Sequence, residues 1–128
     1  MRRAEYPRFR QWLDGLPREV FIAVEADIRY LLEFGRGAVL PYVRHRIQQS
    51  SQYPDMSETR TSVTENDGRT WVVRTLAVFA DGDSVLALCV GGDKKAWEQI
   101  HPGKDWYDTW VPVADEVYAR MKSQEGWS

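Results

Sequence analysis

The chain has 128 residues, the length of one domain, so a single domain over residues 1–128 is expected. Hydrophobic residues make up 43% and charged residues 28%, ordinary globular usage that excludes a chain too polar to fold. No apolar run approaches the roughly 18–20 residues of a membrane span, and Met1–Pro7 leads into no signal-peptide core, so a cytoplasmic protein without a membrane partner is expected. Cys89, the one cysteine, excludes an intramolecular disulfide and a cysteine-rich zinc site. With only His45 and His101 beside it, no metal site and no cofactor are expected.

The net charge of −2 conceals a gradient. Residues 1–50 hold nine arginines against six acids, and Phe34–Ser50 holds Arg36, Arg44 and Arg46 with no carboxylate. Residues 51–90 reverse the balance, so any surface for a polyanion must be local.

Phe9, Trp12, Leu13 and Leu16 fall on one helical stripe that ends near Gly15. Pro17 suits a first helical position, and Val20, Val24, Ile28, Leu31 and Leu32 keep a helical period until Gly35-Arg36-Gly37, which makes an α-hairpin. Ala38–Pro54 reads as loop, with a strand-like piece at Val39–Val43. From Ser57 the period becomes that of a sheet. Ser57–Thr64 and Thr70–Ala80 flank the turn Asn66-Asp67-Gly68, and Asp81-Gly82-Asp83 leads into the apolar strand Ser84–Val90, closed by Gly91-Gly92. Arg2–Tyr6 is a candidate fourth strand at an edge, and Pro112 opens a last helix reaching about Lys122. The class predicted is α+β: a small antiparallel sheet of three to four strands packed against an N-terminal α-hairpin, with a C-terminal helix.

Several chemistries are absent from the sequence. There is no phosphate loop with its full spacing, no Gly-x-Ser-x-Gly elbow and no His-Glu-x-x-His. Cys89, inside an apolar strand, reads as core. Arg74 interrupts Trp71–Phe79, and a guanidinium inside a strand must reach a carboxylate such as Glu58, an anion, or water at the sheet face. Lys94 and Lys95 follow the third strand, where they either lean toward Arg74 or lie exposed in a turn, and Asp93 could pair with one of them. Trp97–Trp110 interleaves three tryptophans and Tyr107 with Lys104 and acids, which suits base stacking or a core lid, with at least two of the three indoles in the core. His45, between Arg44 and Arg46, is the better proton-transfer candidate of the two histidines.

These pieces come in a familiar order. A helical hairpin, Pro41-Tyr42-Val43, Tyr53-Pro54-Asp55-Met56-Ser57-Glu58-Thr59-Arg60, Val73-Arg74 before Leu76, Val90-Gly91-Gly92-Asp93-Lys94, and Trp106-Tyr107-Asp108 with Val111-Pro112-Val113-Ala114-Asp115 resemble the RelE/ParE superfamily of type II toxins, from Phe9 onward. The resemblance implies a RelE-like fold and a RelE/HigB-type toxin that enters the ribosomal A site and cuts mRNA without a metal. It further implies that Arg74 clamps the scissile phosphate, Arg60 is a second cation, Lys94 or Lys95 stabilises the transition state, and Tyr107 stacks or assists proton transfer. By the same resemblance Arg44, His45, Arg46, Lys104 and Trp106 would contact RNA. A cognate helix-turn-helix antitoxin with an acidic segment would be the neutralising partner in a toxin–antitoxin hetero-oligomer. The acidic net charge and the single cation Arg60 on its strand depart from the strongly basic ribonuclease branch. A ParE-like member would share the fold and inhibit DNA gyrase by contact.

Overall fold

Helix α1 (Pro7–Asp14) begins on a proline, whose missing N–H would have had no partner in a first turn. It buries Phe9 and Leu13, and after Gly15–Pro17 the chain enters α2 (Arg18–Phe34), which buries Val20, Val24, Ile28 and Leu31 on one stripe. Gly35 ends α2 at φ +54, a conformation that glycine adopts without steric penalty, and leads into a single 3-10 turn. The α-hairpin is therefore the one that the spacing of apolar residues predicts. The computed structural model describes residues 1–50, 52–53 and 55–128; Ser51 and the Pro54 of the Tyr53–Arg60 motif lie outside the described residues.

Among the described residues five strands form one sheet: β1 (Arg2–Glu5), β2 (Val43–Arg44), β3 (Ser57–Thr64), β4 (Thr70–Ala80) and β5 (Val85–Asp93). Their order is β1-β5-β4-β3-β2, and β1 runs parallel to β5 while the other neighbours are antiparallel. The three consecutive antiparallel strands and the N-terminal edge strand match the sequence reading. The sheet is nevertheless mixed and has five strands rather than three or four. The extra one, β2, is two residues long, too short for a periodic signal, and the direction of β1 is fixed by the hairpin that carries the chain to the opposite edge.

The α-hairpin covers one face of the sheet, packing Phe9, Leu13, Val24 and Ile28 among Val73, Ala77, Leu86 and Leu88. On the other face α4 (Trp106–Glu125) packs Val111, Ala114, Tyr118 and Met121 against Leu76, Val78, Ala87 and Cys89. Each strand thus feeds two cores by its alternation, which is why β4 and β5 read as nearly continuous apolar runs. Cys89 is core, as expected, and burial pushes its thiol pKa up.

Cys89 is also a bulge residue, since Ala77 pairs with Leu88 and Leu76 with Val90. The extra residue exchanges the faces of the rest of the strand. Gly91 then lies under Trp12 and Gly92 under Trp106, so these glycines do not end the strand; they let two indoles approach its backbone. A Cβ at Gly91 would stand 2.1 Å from Trp12 Cζ3. Gly91→Ala is therefore expected to cost about 3 kcal/mol, read as a fall of roughly 10 °C in melting temperature. Adding Trp12→Ala should recover part of it, whereas a melting temperature unchanged by Gly91→Ala would mean that Trp12 swings clear.

Two helical features differ from the sequence reading. A short helix, α3 (Lys94–Ile100), follows β5 directly, capped by the Asp93 carboxylate, which accepts from the Ala96 N–H at 3.2 Å. Asp93 therefore does not pair with Lys94 or Lys95. The last helix starts at Trp106, capped by Asp105, and carries Pro112 inside it rather than at its opening. Among the described residues no helix is long and apolar enough to cross a membrane.

Candidate functional site

Register decides which polar side chains meet. Arg60 pairs with Arg74 and Glu58 with Leu76 across β3 and β4, and Arg44 pairs with Glu58 across β2 and β3. Paired residues share a face, so Arg44, Glu58, Arg60 and Arg74 all project toward α4, whose first turn supplies Tyr107.

Glu58 is the centre of the cluster and is 0% exposed. Its Oε1 lies 3.0 Å from Arg60 Nη1 and 2.9 Å from Arg44 Nε, and accepts from the Tyr107 hydroxyl at 3.1 Å. The Arg60 contact is a hydrogen bond; the Arg44 contact is an ion pair whose angle makes none. Oε2 is 4.0 Å from Arg74 Nε, which donates to the Tyr107 hydroxyl at 3.0 Å, while Arg74 Nη1 donates to the Val73 carbonyl. The Arg44 guanidinium lies 5.2 Å from the centre of the Tyr107 ring.

One buried carboxylate thus gathers three guanidiniums, and the cluster keeps a formal excess of two positive charges. A carboxylate out of water needs such partners. Exposure divides the arginines: the Arg74 side chain is 9% exposed, whereas Arg60 and Arg44 are 32% and 38% exposed. Arg60 and part of Arg44 stand toward solvent, with Arg44 Nε and Nη2 buried, while Arg74 stands behind them. Burial, and then the Glu58 charge, raise the Tyr107 pKa, so this phenol stays neutral and donates its hydrogen bond.

Arg74 does face Glu58, and the face it shares does gather cations, but the guanidinium offers little surface to a phosphate. Lys94 approaches the Tyr107 ring at 5.8 Å, yet its ammonium is 2.8 Å from Glu98. Lys95 is exposed on α3, and Lys104 is exposed ahead of α4. Trp106 is 1% exposed, closed off against Gly92, so its indole is part of the core and cannot stack on a base. Trp97 and Trp110 are half-buried, and Trp97 stacks on His101 at 4.2 Å.

The run Arg44-His45-Arg46 does not form one patch. His45 turns to the hairpin face, with Nδ1 2.7 Å from Ser57 Oγ and Nε2 2.7 Å from the Ala38 carbonyl, which leaves it bracing the loop. Arg46 is 85% exposed and 4.0 Å from Asp55. Arg36 binds Asp83 at 2.7 Å, so carboxylates distant in sequence neutralise part of the stretch that holds none of its own. Sequence reasoning missed Glu58 as the centre, although its two-residue spacing from Arg60 places both on one strand face. It also missed Asp27, which Thr61 binds across α2 and β3 and which no local pattern marks. Among the described residues no three His, Cys, Asp or Glu side chains form a metal-binding group.

No family model matches the chain. Over 121 residues it is 31% identical to a protein of Mycobacterium tuberculosis (strain ATCC 25618 / H37Rv) named "Putative toxin HigB2", an alignment that takes in 94% of this chain and 54% of the relative. This chain is a relative of that protein. The resemblance carried by its ordered motifs is borne out by that relationship, although the chain spans about half the length of the relative. A solved structure of an arginine-to-alanine double mutant of E. coli toxin RelE in the free state aligns with 78% of this chain and 90% of its own, at 16% identity and a TM-score of 0.46.

Proposed function

We propose that the protein is the toxin of a type II toxin–antitoxin system and cuts mRNA on the ribosome. The observation that carries this reading is the convergence of Arg44, Arg60 and Arg74 on one sheet face, with two positive charges in excess. As the ribose 2′-hydroxyl gives its proton to water and attacks phosphorus, the bond to the 5′-oxygen breaks and that oxygen takes a proton from water, leaving a 2′,3′-cyclic phosphate and a 5′-hydroxyl, while negative charge grows on the phosphoryl oxygens in between. Arg60 holds that charge, and Arg44 adds its positive field from beside it, since its Nε and Nη2 are buried. Arg74 and Tyr107 are positioning residues that fix Glu58 and, through it, the two exposed guanidiniums. Lys94 is engaged by Glu98, which leaves Lys95, exposed on α3, as the lysine of the pair free of that carboxylate. The acidic segment of a helix-turn-helix antitoxin would occupy the same positive surface and so silence it.

Induced expression tests the reading. Growth should stop, primer extension should show new ends inside translated codons, and a neighbouring antitoxin gene should restore growth. Growth arrest with intact mRNA and blocked DNA supercoiling would instead make the protein a contact inhibitor of gyrase.

A further inference from the structure

Beside the cluster runs a groove holding a carboxylate that takes no part in gripping the phosphate. Among the described residues β2 pairs with β3 only at Thr59 and Glu58, so beyond Arg60 no described strand neighbours β3 on that side, and α2 forms the facing wall. The groove encloses about 560 Å³ and is lined by Asp27, Tyr42, Arg60, Thr61 and Arg74, among others.

Its two ends differ in chemistry. The Tyr42 ring is 52% exposed and stands edge-on against Tyr30, while its backbone carbonyl accepts the Arg60 N–H at 2.7 Å. That bond joins the backbones of the two residues, and both line the groove, while the Arg60 guanidinium itself reaches to Glu58. Deeper in, the Thr61 hydroxyl donates to Asp27 Oδ2 at 2.5 Å and sets the plane of the carboxylate. No ion pair engages Asp27 among the described residues, and burial raises its pKa while the Thr61 bond opposes that rise. Oδ1 and the remaining lone pair of Oδ2 are left to accept.

We infer that this groove is a base-reading subsite that selects guanine, with Tyr42 stacking the base, Asp27 accepting from its N1–H and N2–H, and Arg60 holding its phosphate. The subsite deepens the nuclease reading and rests on it for its place in RNA cutting. Guanine alone among the four RNA bases offers two adjacent donors on its pairing edge. Adenine and cytosine set an acceptor nitrogen beside the amine, and uracil flanks one N–H with two carbonyls. A carboxylate repels each of those acceptors.

The test titrates the full chain with GMP, AMP, CMP and UMP, which share a ribose phosphate, and follows binding by NMR. GMP should bind about tenfold more tightly than the others, the scale of one good bidentate contact, and should shift the Tyr42 and Thr61 signals. Asp27→Asn keeps the size and an acceptor for Thr61 but places donors before the base, so the preference for GMP should vanish. Equal affinity for the four nucleotides, no binding to any of them, or a GMP preference that survives Asp27→Asn overturns the subsite. Mapping of cut sites separates the two proposals. Cutting with no Asp27-dependent bias toward guanine sinks the subsite alone, and Asp27-dependent selection of GMP without cutting sinks the nuclease reading alone.

Discussion

Glu58→Ala is expected to lower the melting temperature by roughly 10–20 °C, the counterpart of about 3–5 kcal/mol for a buried ionic cluster that loses its buried anion. Three guanidiniums would then face one another on the sheet, with Arg74 9% exposed and unable to turn to water. Glu58→Gln should fall between wild type and alanine, because the amide keeps an acceptor for Tyr107 and Arg60 but removes the charge that all three arginines share. Added phosphate or sulfate should restore stability to Glu58→Ala more than it stabilises wild type, since an oxyanion can take the vacated place. Thermal melts with and without phosphate check both points. A variant as stable as wild type would show that Glu58 does not hold the cluster together.

Arg60→Ala should behave in the opposite way, costing activity rather than stability. Its side chain is 32% exposed, and Arg44 and Arg74 remain to balance Glu58. A loss of mRNA cutting of about 10²–10³-fold is expected, the scale seen when one preorganised donor to a developing oxyanion is removed. The melting temperature should fall by no more than about 5 °C, which corresponds to about 1 kcal/mol. Arg74→Ala should lower both, because this arginine is buried and joins Glu58 to Tyr107. Activity lost in proportion to stability in both variants would give the two arginines the same structural role.

How much the chain disclosed before folding depended on the range of each interaction. The hairpin was legible because Val20, Val24, Ile28 and Leu31 repeat at helical spacing, and β4 was legible end to end because Thr70–Ala80 is β-branched and aromatic between two turns. The turn at Asp81–Asp83 showed itself by residues that tolerate positive φ, and all three adopt it. Helix α3 was hidden because a pair of glycines usually breaks structure, and here their lack of side chains serves Trp12 and Trp106, which are distant in sequence. Arg74 announced a polar site from within an apolar strand. Glu58 was already a candidate partner for it, but that Arg44 would join them while His45 turned away depended on strand register, and no local pattern encodes the pairing of a two-residue strand.

Cations gathered by Glu58 are proposed to grip the backbone of an mRNA, and the proposed activity rests on that grip. The most direct measurement combines the purified protein with translating ribosomes and maps the mRNA ends by toe-printing. Wild type should produce cuts at the A-site codon, and Arg60→Ala at equal concentration should produce about one hundredth as many or fewer. Wild-type cutting by Arg60→Ala, or uncut mRNA with the folded wild-type protein, would contradict the account.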